Sequence, residues 1–403
     1  MRILYICQYF WPEPNPYDDT IFYLSKKHDI QVVTAFPNFP LGKIFSGYRN
    51  CFFKKECLKH IVIYRFYTYI YKGYNKYKRL LNYIVFTIIA SFISPFVVKK
   101  FDVIFSVQGS PIFYLIPCLI NKYLFKKKLV VWVQDLWPET LDSVGIVNKN
   151  DLLYKVLDIM CNIIYQKCDH IYVESPGFLK ILKQKGVSAS KVEYLPNWSL
   201  IDFDSYTDLE EHDRFVCIDS TKFNVMYAGN IGKYQGLEKL LLALNMIKHE
   251  KIHCYIVGSG PERNRLICLS KELNLNNVSF LGRIDSKQIK LLYRKIDTLF
   301  LQLRKDHLFK HTIPSKLQAY MASGKPIIGA VEGSSADIIN EAECGIVVEP
   351  ENVNEIKNAI LRIKALSNMK LKEIGSNGLN YSNLHFNKVI LIERINKKLV
   401  EIS

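Results

Sequence analysis

The 403-residue chain has ten cysteines, but no two of them form a CxxC pair. This spacing excludes a zinc ribbon and a redox dithiol, and it is typical of reduced thiols in a cytosolic protein. The apolar start, Ile3 to Cys7, is too short for a signal-peptide core. It predicts a buried strand and a protein that is not secreted. With 49% hydrophobic and 23% charged residues, the composition also excludes disorder and a small disulfide scaffold.

Acidic residues are scarce in the first third of the chain. Residues 1–130 contain 19 Lys or Arg against 6 Asp or Glu. The segment Lys43–Lys100 has 12 basic residues and a single acid, Glu56, with many tyrosines and phenylalanines among them. Such a surface suits nucleic acid or an anionic membrane. Because no nucleic-acid-binding motif accompanies the charge, we expect a membrane surface as the partner and no nucleic acid.

Long uncharged runs are also rare, and the main one is Leu80–Val98, 19 residues between two basic pairs. Its length just reaches that of a membrane span, but polar residues and a proline dilute it and both flanks are basic. A helix in the membrane interface, a buried core helix and a true span all stay open. We expect the first, in a cytoplasmic protein attached peripherally to the inner face of the cell membrane.

Strand and helix patterns alternate through most of the chain, which predicts parallel sheets covered by helices. One series of buried strands ends with His170–Val173, and a second begins at Phe223–Ala228. The acidic, non-repeating stretch Asp202–Asp219 between them predicts a linker. The predicted fold class is therefore α/β, with two Rossmann-like domains facing each other across a cleft that is the expected ligand site.

Three glycine turns follow successive strands of the second series. Glycine lets the backbone approach an anion, and the helix that follows offers unpaired N–H groups. Each could be a simple turn, but three at successive strand ends predict the rim of one pocket. The turns are Gly229-Asn230-Ile231-Gly232 with Gln235, Gly258-Ser259-Gly260, and Gly282-Arg283.

The strongest motif is Thr312–Ile328, in which Pro314 and Ser315 start a short helix and Gly324 ends it. Lys316 would lie in the first turn, where a cation is unfavourable to the helix dipole by about 0.3–1 kcal/mol. A diphosphate shared by Lys316 and the helix N-terminus would explain this placement. The alternative is a solvated lysine.

A carboxylate follows a buried strand of the first series. The strand Leu129–Val133 runs into Asp135, which we expect to point into the cleft, although Asp135 could instead cap a helix before Pro138. Two proline-broken loops, Gln8–Pro16 and Phe36–Lys43, are predicted at the same edge of the sheet.

The order of these motifs resembles, over essentially the whole chain, the retaining two-Rossmann-domain (GT-B) glycosyltransferases of glycosyltransferase family 4. A bacterial subgroup from capsule and O-antigen clusters, with fucosamine-transferase-like members, is similar in the segments QYFWPE, FPNFPLGK, WVQDLWPET, LPNW, YAGNIG and PSKLQAYMASGKPI. The resemblance implies transfer of a sugar such as N-acetylfucosamine from a UDP-sugar to a polyprenyl-diphosphate-linked saccharide. It implies retention of configuration and no metal or other cofactor. Asp202-Phe203-Asp204 matches a metal-binding DxD only textually, because it lies in the predicted linker.

The resemblance also implies how the chain is divided. Residues 1–205 would bind the acceptor and the membrane, residues 206–385 would bind the nucleotide sugar, and a helix over 386–403 would pack back toward the first domain.

The motifs and the resemblance together give a candidate site. Asp135 would orient or deprotonate the acceptor hydroxyl, and Lys316 would stabilise the leaving diphosphate. The predicted acceptor-side residues are Pro12, Glu13, Asn38, Gln134 and Glu139. The predicted donor-binding residues are Gly229, Asn230, Gly232, Gln235, Gly258, Gly260, Arg283, Ser315, Lys316 and Leu317.

The chain departs from the family pattern at four positions. Asn230 and Gln235 stand where the family has an arginine and a lysine, and His311 and Ala319 stand where it has two glutamates. Lys316 would then make the contact with the donor diphosphate, and Arg283 would lie near the base of the nucleotide. Two other functions stay open: a nucleotide-sugar epimerase of similar fold, and a non-catalytic, membrane-bound partner of another transferase.

Overall fold

The computed structural model describes residues 1–73, 75–201, 203 and 218–403. They form two compact units: unit 1 is Met1–Leu195 with Val389–Ser403, and unit 2 is Pro196–Lys388. Most of the predicted linker lies outside the described residues, as do Asp202 and Asp204 of the DxD match.

Unit 1 contains a sheet of eight described strands. In chain order they are β1 (Arg2–Ile6), β2 (Asp29–Ala35), β3 (Phe53–Leu58), β4 (Ile61–Phe66), β5 (Val103–Gln108), β6 (Lys128–Val133), β7 (His170–Val173) and β8 (Val192–Tyr194). Their order across the sheet is β3-β4-β2-β1-β5-β6-β7-β8. Neighbouring strands pair in parallel, except that β3 pairs antiparallel with β4 at one edge. The strand β5 is buried along its whole length, as expected where both faces of a parallel sheet are covered.

The helices described between these strands are α1 (Asp18–Leu24), α2 (Lys76–Val97), α3 (Leu115–Phe125), α4 (Glu139–Ser143), α5 (Leu152–Lys167) and α6 (Pro176–Gln184), with 3₁₀ turns at Ile112–Tyr114 and Ala189–Lys191. The start of α6 shows why a helix begins where it does: Ser175 accepts the Phe178 N–H, and Pro176 follows at the first helical position.

Unit 2 is built on six parallel strands. They are β9 (Phe223–Ala228), β10 (Ile252–Val257), β11 (Val278–Gly282), β12 (Thr298–Gln302), β13 (Ile327–Ala330) and β14 (Gly345–Val348). Their order is β11-β10-β9-β12-β13-β14, which is the strand order of dinucleotide-binding folds. The order reverses between β9 and β12, so a ligand site is expected at the carboxyl ends of the strands there.

The helices of unit 2 cover this sheet. They are α7 (Glu238–Met246), α8 (Arg263–Glu272), α9 (Ser286–Lys295), α10 (Ser315–Ala322), α11 (Ser334–Glu341), α12 (Val353–Lys364) and α13 (Asn368–His385), with 3₁₀ turns at Lys233–Gln235 and Phe309–His311. The apolar faces of α7 and α12 bury Leu240, Leu244 and Ile360 against Ile256 and Phe300 of the sheet. The two α/β units confirm the predicted fold class.

The last helix, α14 (Lys388–Ile402), belongs to unit 1 from Val389 onward. Its Glu393 accepts a hydrogen bond from the Tyr23 hydroxyl at 2.6 Å, and its Arg394 donates to Glu193 at 2.6 Å. The units divide after Leu195 and after Lys388, whereas the sequence places the domain boundaries at 205 and 385.

Helix α2 has apolar residues on both its buried and its exposed face. The stretch Lys78–Val97 is long and apolar enough to cross a membrane, and it is the one such helix in the described part of the chain. Its inner face buries Phe86 and Ala90. Its outer face, defined by Leu81, Ile88, Phe92 and Phe96, is exposed, with Phe92 at 70% and Phe96 at 87%.

Candidate active site

A pocket of about 490 Å³ opens in unit 2 at the carboxyl ends of β9, β10 and β11. Open α/β sheets bind their ligands at this edge. The glycine turns, the start of α10 and part of α9 form its walls. The lining residues are Leu200, Ile201, Ala228, Gly229, Asn230, Val257, Gly258, Ser259, Arg283, Ile284, Ile289, Tyr293, Ser315, Lys316 and Ala319.

Two glycines make the close packing of this wall possible. Gly229 has a φ of +148°, and a Cβ there would lie 2.7 Å from the Lys316 side chain. Gly258 has a φ of +136°, and a Cβ there would lie 1.8 Å from the Gly229 carbonyl oxygen. Larger residues would therefore separate the first two turns or displace Lys316, so these glycines shape the pocket.

Lys316 lies in the first turn of α10, as predicted. Its Nζ donates a hydrogen bond to the Tyr227 hydroxyl at 2.8 Å and lies 4.8 Å from the centre of that ring. Burial lowers the pKa of the amino group from 10.5 to about 7, because the charged form loses hydration. Since burial is the whole cause of this shift, no carboxylate among the described residues offsets it. A phosphate in the pocket would stabilise the charged form.

A second tyrosine ties α10 to the first glycine turn. The Tyr320 hydroxyl accepts the Ala228 N–H at 2.9 Å and donates to the Ala228 carbonyl at 3.1 Å. This clamp holds the helix N-terminus, with its outward-facing N–H groups, beside the end of β9. The sequence interpretation missed Tyr227 and Tyr320. A buried tyrosine hydroxyl needs a hydrogen-bond partner, but the sequence does not indicate which group that partner is.

Four of the predicted donor residues do not line the pocket. The Gln235 side chain accepts the Gly232 N–H at 2.9 Å, so these two residues stabilise their own turn. Gly260 lies against Ile231, where a Cβ would be 2.2 Å from the Ile231 carbonyl oxygen.

Leu317 is the fourth of these residues. Its side chain is fully buried and its N–H donates to Pro314, so neither group faces the pocket. The predicted residues that do line the pocket are Gly229, Asn230, Gly258, Arg283, Ser315 and Lys316.

Ala319 and His311, which stand where the family has glutamates, have different surroundings. Ala319 lines the pocket, where a methyl group offers no hydrogen bond to a ligand. His311 lies in a 3₁₀ turn, with its ring 5.3 Å from that of His307.

Asp135 follows β6 in unit 1 and does not cap a helix. Its Oδ2 accepts a hydrogen bond from the Ser110 hydroxyl at 2.9 Å, and the Ser110 oxygen accepts the Trp137 Nε1–H at 2.9 Å. The helix α4 begins after Pro138 without a side-chain cap. The capping alternative is therefore wrong. Burial raises the pKa of Asp135, and the hydrogen bonds from Ser110 partly oppose this rise.

The acceptor-side residues have unequal surroundings. Glu13, which follows Pro12, is buried and accepts backbone N–H groups from Asn38 and Phe39 at 2.6 Å each, so it holds two loops together. Burial raises the pKa of Glu13 to about 7. Asn38 itself lines a separate pocket of unit 1.

Two further acceptor-side residues are engaged within unit 1. Gln134 accepts a hydrogen bond from the Tyr17 hydroxyl at 2.9 Å. Glu139 is paired with Lys185 at 2.8 Å and is largely buried, so its contacts are structural.

In the part of the chain that the structure describes, no three His, Cys, Asp or Glu side chains come together as a metal site would require. The expectation of a metal-independent reaction stays a prediction.

Residues 208–380 match the family of glycosyl transferases group 1. The pocket and Lys316 lie within the unit that this match covers. Proteins named as glycosyltransferases match beyond it, over as much as 82% of the chain. The chain therefore contains a domain that is similar to the group 1 glycosyltransferases.

Two relatives are similar to this chain in sequence. WbjE of Pseudomonas aeruginosa, named as a glycosyltransferase, is 24% identical over 61% of the chain and 62% of that protein's own length. WcaI of Escherichia coli, named as a colanic acid biosynthesis glycosyl transferase, is 24% identical over 82% of the chain and 83% of that protein.

Solved structures show the same fold. Sucrose-phosphate synthase from Thermosynechococcus elongatus superposes with a TM-score of 0.72 at 17% identity, over 99% of this chain and 98% of that one. Anabaena Alr3699/HepE in complex with UDP and glucose superposes with a TM-score of 0.67 at 17% identity, over 99% of both chains. The fold of this chain is therefore GT-B.

Proposed function

We propose that the enzyme transfers a sugar from a UDP-sugar to a lipid-linked saccharide in the synthesis of a bacterial surface polysaccharide such as capsule or O-antigen. The observation that carries the proposal is the wall formed by Lys316, the start of α10 and the glycine turns. A half-buried lysine beside a helix N-terminus, without a carboxylate to offset it, is a site for an anion. The UDP-sugar complex of the structural neighbour HepE supports a nucleotide sugar as that anion.

The chemical step proposed is transfer with retention, through an oxocarbenium-like transition state as in glycoside hydrolysis. The bond from the sugar to the diphosphate breaks, so negative charge grows on the departing UDP. Lys316 and the N–H groups of α10 would stabilise that charge. Asp135 would accept a hydrogen bond from the acceptor hydroxyl. Acting as a base, it would then take the proton of that hydroxyl. No metal is required in this scheme.

The donor sugar is proposed from the family resemblance alone. An N-acetylated amino sugar such as N-acetylfucosamine fits the capsule and O-antigen subgroup. The names of the sequence relatives support surface polysaccharide synthesis but specify no amino sugar.

We also propose that the enzyme attaches peripherally to the cytoplasmic face of the membrane through α2. The exposed outer face of α2 would lie among the acyl chains, and the basic residues near both of its ends would face anionic lipid headgroups. The polyprenyl-linked acceptor would be reached in that membrane.

A thermal-shift panel of UDP-, GDP- and ADP-sugars tests the donor assignment. A true donor stabilises the native state by mass action, so UDP-sugars should raise the Tm and the others should not. Lys316→Met should abolish the shift, whereas Lys372→Met, which removes an exposed lysine on α13, should retain it. Stabilisation by GDP-sugars alone would contradict the UDP assignment. Release of an epimerised nucleotide sugar without acceptor would favour an epimerase.

A further inference from the structure

Helix α5 of unit 1 exposes an apolar stripe. Four side chains, each between 52% and 77% exposed, form it. They are Leu152, Val156, Ile159 and Ile163. Cys161, Ile164 and Tyr165 are buried on the opposite side of the same helix. A contiguous apolar surface that remains exposed marks a place where another molecule binds.

The spacing of the stripe indicates what kind of molecule that is. Its members follow one another at intervals of four, three and four residues. This repeat forms the seam along which two helices pack, because it returns to one side of the helix every two turns. A helix that lies in a membrane interface instead has a broad apolar face with aromatic residues and basic flanks.

The composition of α5 also differs from that of an interfacial helix. In α5, which the structure describes in full, the large apolar side chains that are exposed are all aliphatic, namely the stripe and Leu153 beside it. Asp151, an exposed acid, precedes the first of them. On α2, by contrast, Phe92 and Phe96 are exposed and two lysines follow the helix. The stripe therefore favours another helix as its partner over a bilayer.

The helix that fits the stripe best is α5 of a second copy. Intervals of four, three and four read the same from either end of the helix. Two antiparallel copies related by a two-fold axis therefore bring Leu152 opposite Ile163 and Val156 opposite Ile159. Each of these pairs occurs twice, so every side chain of the stripe gains an apolar partner.

The charges of α5 agree with the antiparallel arrangement. Asp151 precedes the helix and Lys167 ends it, and both side chains are exposed. Antiparallel pairing places each lysine near the aspartate of the other copy, and it sets the two helix dipoles in opposite directions. Lys155, beside the stripe, lies opposite Met160 and not opposite itself. Parallel pairing would bring like charges together at both ends, which destabilises an interface.

We propose that two copies of the chain associate through α5 as an antiparallel, two-fold symmetric pair. The 16 residues of α5 form a face about 24 Å long and about 10 Å wide. A contact of this size belongs with the small, transient interfaces that bury less than about 1,200 Å² in total. The dimer is therefore weak, with a Kd of about 10–100 µM. The proposal depends neither on the identity of the donor nor on that of the acceptor.

Sedimentation velocity of the full chain without lipid, from about 1 to about 200 µM, measures this association. We expect a shift from monomer to dimer across that range. Val156→Glu and Ile159→Lys should each weaken the dimer about tenfold or more, because each sets an unpaired charge against an apolar side chain of the other copy. An equimolar mixture of the two variants should dimerise again, because the new carboxylate of one lies opposite the new amine of the other. Recovery in the mixture also shows that both variants are folded.

Two controls separate the stripe from other exposed apolar surface. Met369→Lys, at an 82% exposed position of α13, and the paired change Phe92→Ser with Phe96→Ser on α2 should both dimerise as the wild type does. A wild-type chain that stays monomeric over the whole range overturns the proposal. So does a dimer that both α5 variants form within about twofold of the wild-type Kd. Two weakened variants whose mixture stays monomeric would overturn the antiparallel register.

Co-sedimentation with anionic vesicles tests the bilayer as the other occupant of the stripe. Ile159→Lys adds a cation, so electrostatic attraction to the vesicles does not fall. Loss of the dimer with unchanged vesicle binding in this variant supports the proposal. If the wild type is monomeric and Ile159→Lys lowers vesicle binding about tenfold, the stripe contacts the membrane and the proposal fails.

Discussion

The amino group of Lys316 and the hydroxyl of Tyr227 lie 2.8 Å apart in the wall of the unit 2 pocket. The same hydroxyl donates to the Asn230 carbonyl, so a single oxygen links the first turn of α10 to the first glycine turn. Tyr227 thereby positions Lys316, and no charged partner among the described residues holds the lysine away from a ligand.

Replacing Lys316 with methionine tests its proposed contact with the leaving group. We expect kcat to fall about 100- to 1,000-fold, as when one oxyanion donor is removed, with little change in Tm because methionine keeps most of the apolar volume of the lysine side chain. Lys372→Met should have wild-type kinetics. Turnover of the Lys316 variant within about threefold of wild type would contradict the role.

The depressed pKa of Lys316 makes donor binding depend on pH. The free amine has a pKa of about 7, and a bound diphosphate raises this pKa, so binding takes up a proton above pH 7. The Kd of a UDP-sugar should therefore rise about eightfold from pH 7.5 to 8.5. Calorimetry in buffers of different ionisation enthalpy should show proton uptake. Lys316→Arg, which stays charged, should remove the pH dependence; a slope that persists in this variant would assign it elsewhere.

Tyr227→Phe removes the hydroxyl that positions Lys316 and keeps the ring. The loss of two hydrogen bonds should lower stability by about 1–3 kcal/mol. A merely structural role would change only the Tm. If Tyr227 positions Lys316, its substitution should also alter the pH dependence of UDP-sugar binding, because the Lys316 amino group loses its hydrogen-bond partner. Tyr381→Phe, which removes a hydroxyl bonded to Glu341 on the surface, is the control.

Only some residues of the unit 2 pocket wall could be predicted from the sequence. Glycine turns and a lysine after Pro-Ser are local patterns, so Gly229, Gly258 and Lys316 could be predicted. Tyr227 and Tyr320 could not be predicted as parts of the site. A buried tyrosine in a strand or helix looks like any other core aromatic until its hydrogen-bond partner is known. Gln235 was misassigned for the opposite reason: its side chain faces its own turn.

The edge strand β3 was also missed, for a different reason. Its exposed and half-buried positions alternate only weakly, and it contains the charged residues Lys54, Lys55 and Glu56. The turn that joins it to β4 contains Lys59 at a φ of +54°. Hairpin turns with a positive φ usually contain glycine or asparagine, which makes them recognisable in a sequence. Charge on an edge strand protects it from pairing with other chains and at the same time hides its strand pattern.

The pair formed by Ser110 and Asp135 predicts a pH effect in unit 1. Asp135→Asn should reduce transfer about 100-fold or more if the carboxylate is the base, with folding preserved. Ser110→Ala removes a hydrogen bond that lowers the pKa of Asp135, so that pKa should rise. Because the base must be ionised, the acid limb of the kcat profile should move to higher pH. An unshifted limb together with normal Asp135→Asn turnover would exclude this role.

The outer face of α2 offers a test of the proposed attachment to a membrane. Among the apolar side chains of α2 whose exposure the structure describes, Phe92 and Phe96 are the most exposed, and Lys99 and Lys100 follow shortly after the helix ends. Burying a phenylalanine in acyl chains is worth about 1.5–3 kcal/mol, and a lysine near an anionic surface about 1 kcal/mol. The paired change Phe92→Ser with Phe96→Ser should therefore lower binding to anionic vesicles more than Lys99→Gln with Lys100→Gln, which removes the two charges.

Exposure alone does not make a membrane contact, so the control pair must be equally exposed and lie elsewhere. Met369 and Leu384 on α13 of unit 2 are 82% and 69% exposed, and their replacement by serine should leave vesicle co-sedimentation unchanged. Raising salt from 0.1 to 1 M shortens the Debye length from about 10 to about 3 Å, so a peripheral protein should be partly released, whereas a spanning helix would resist salt and alkaline washing alike. Equal co-sedimentation of the Phe92/Phe96 and Met369/Leu384 variants would mean that α2 does not touch the bilayer, because removal of two inserted rings cannot leave the partition coefficient unchanged.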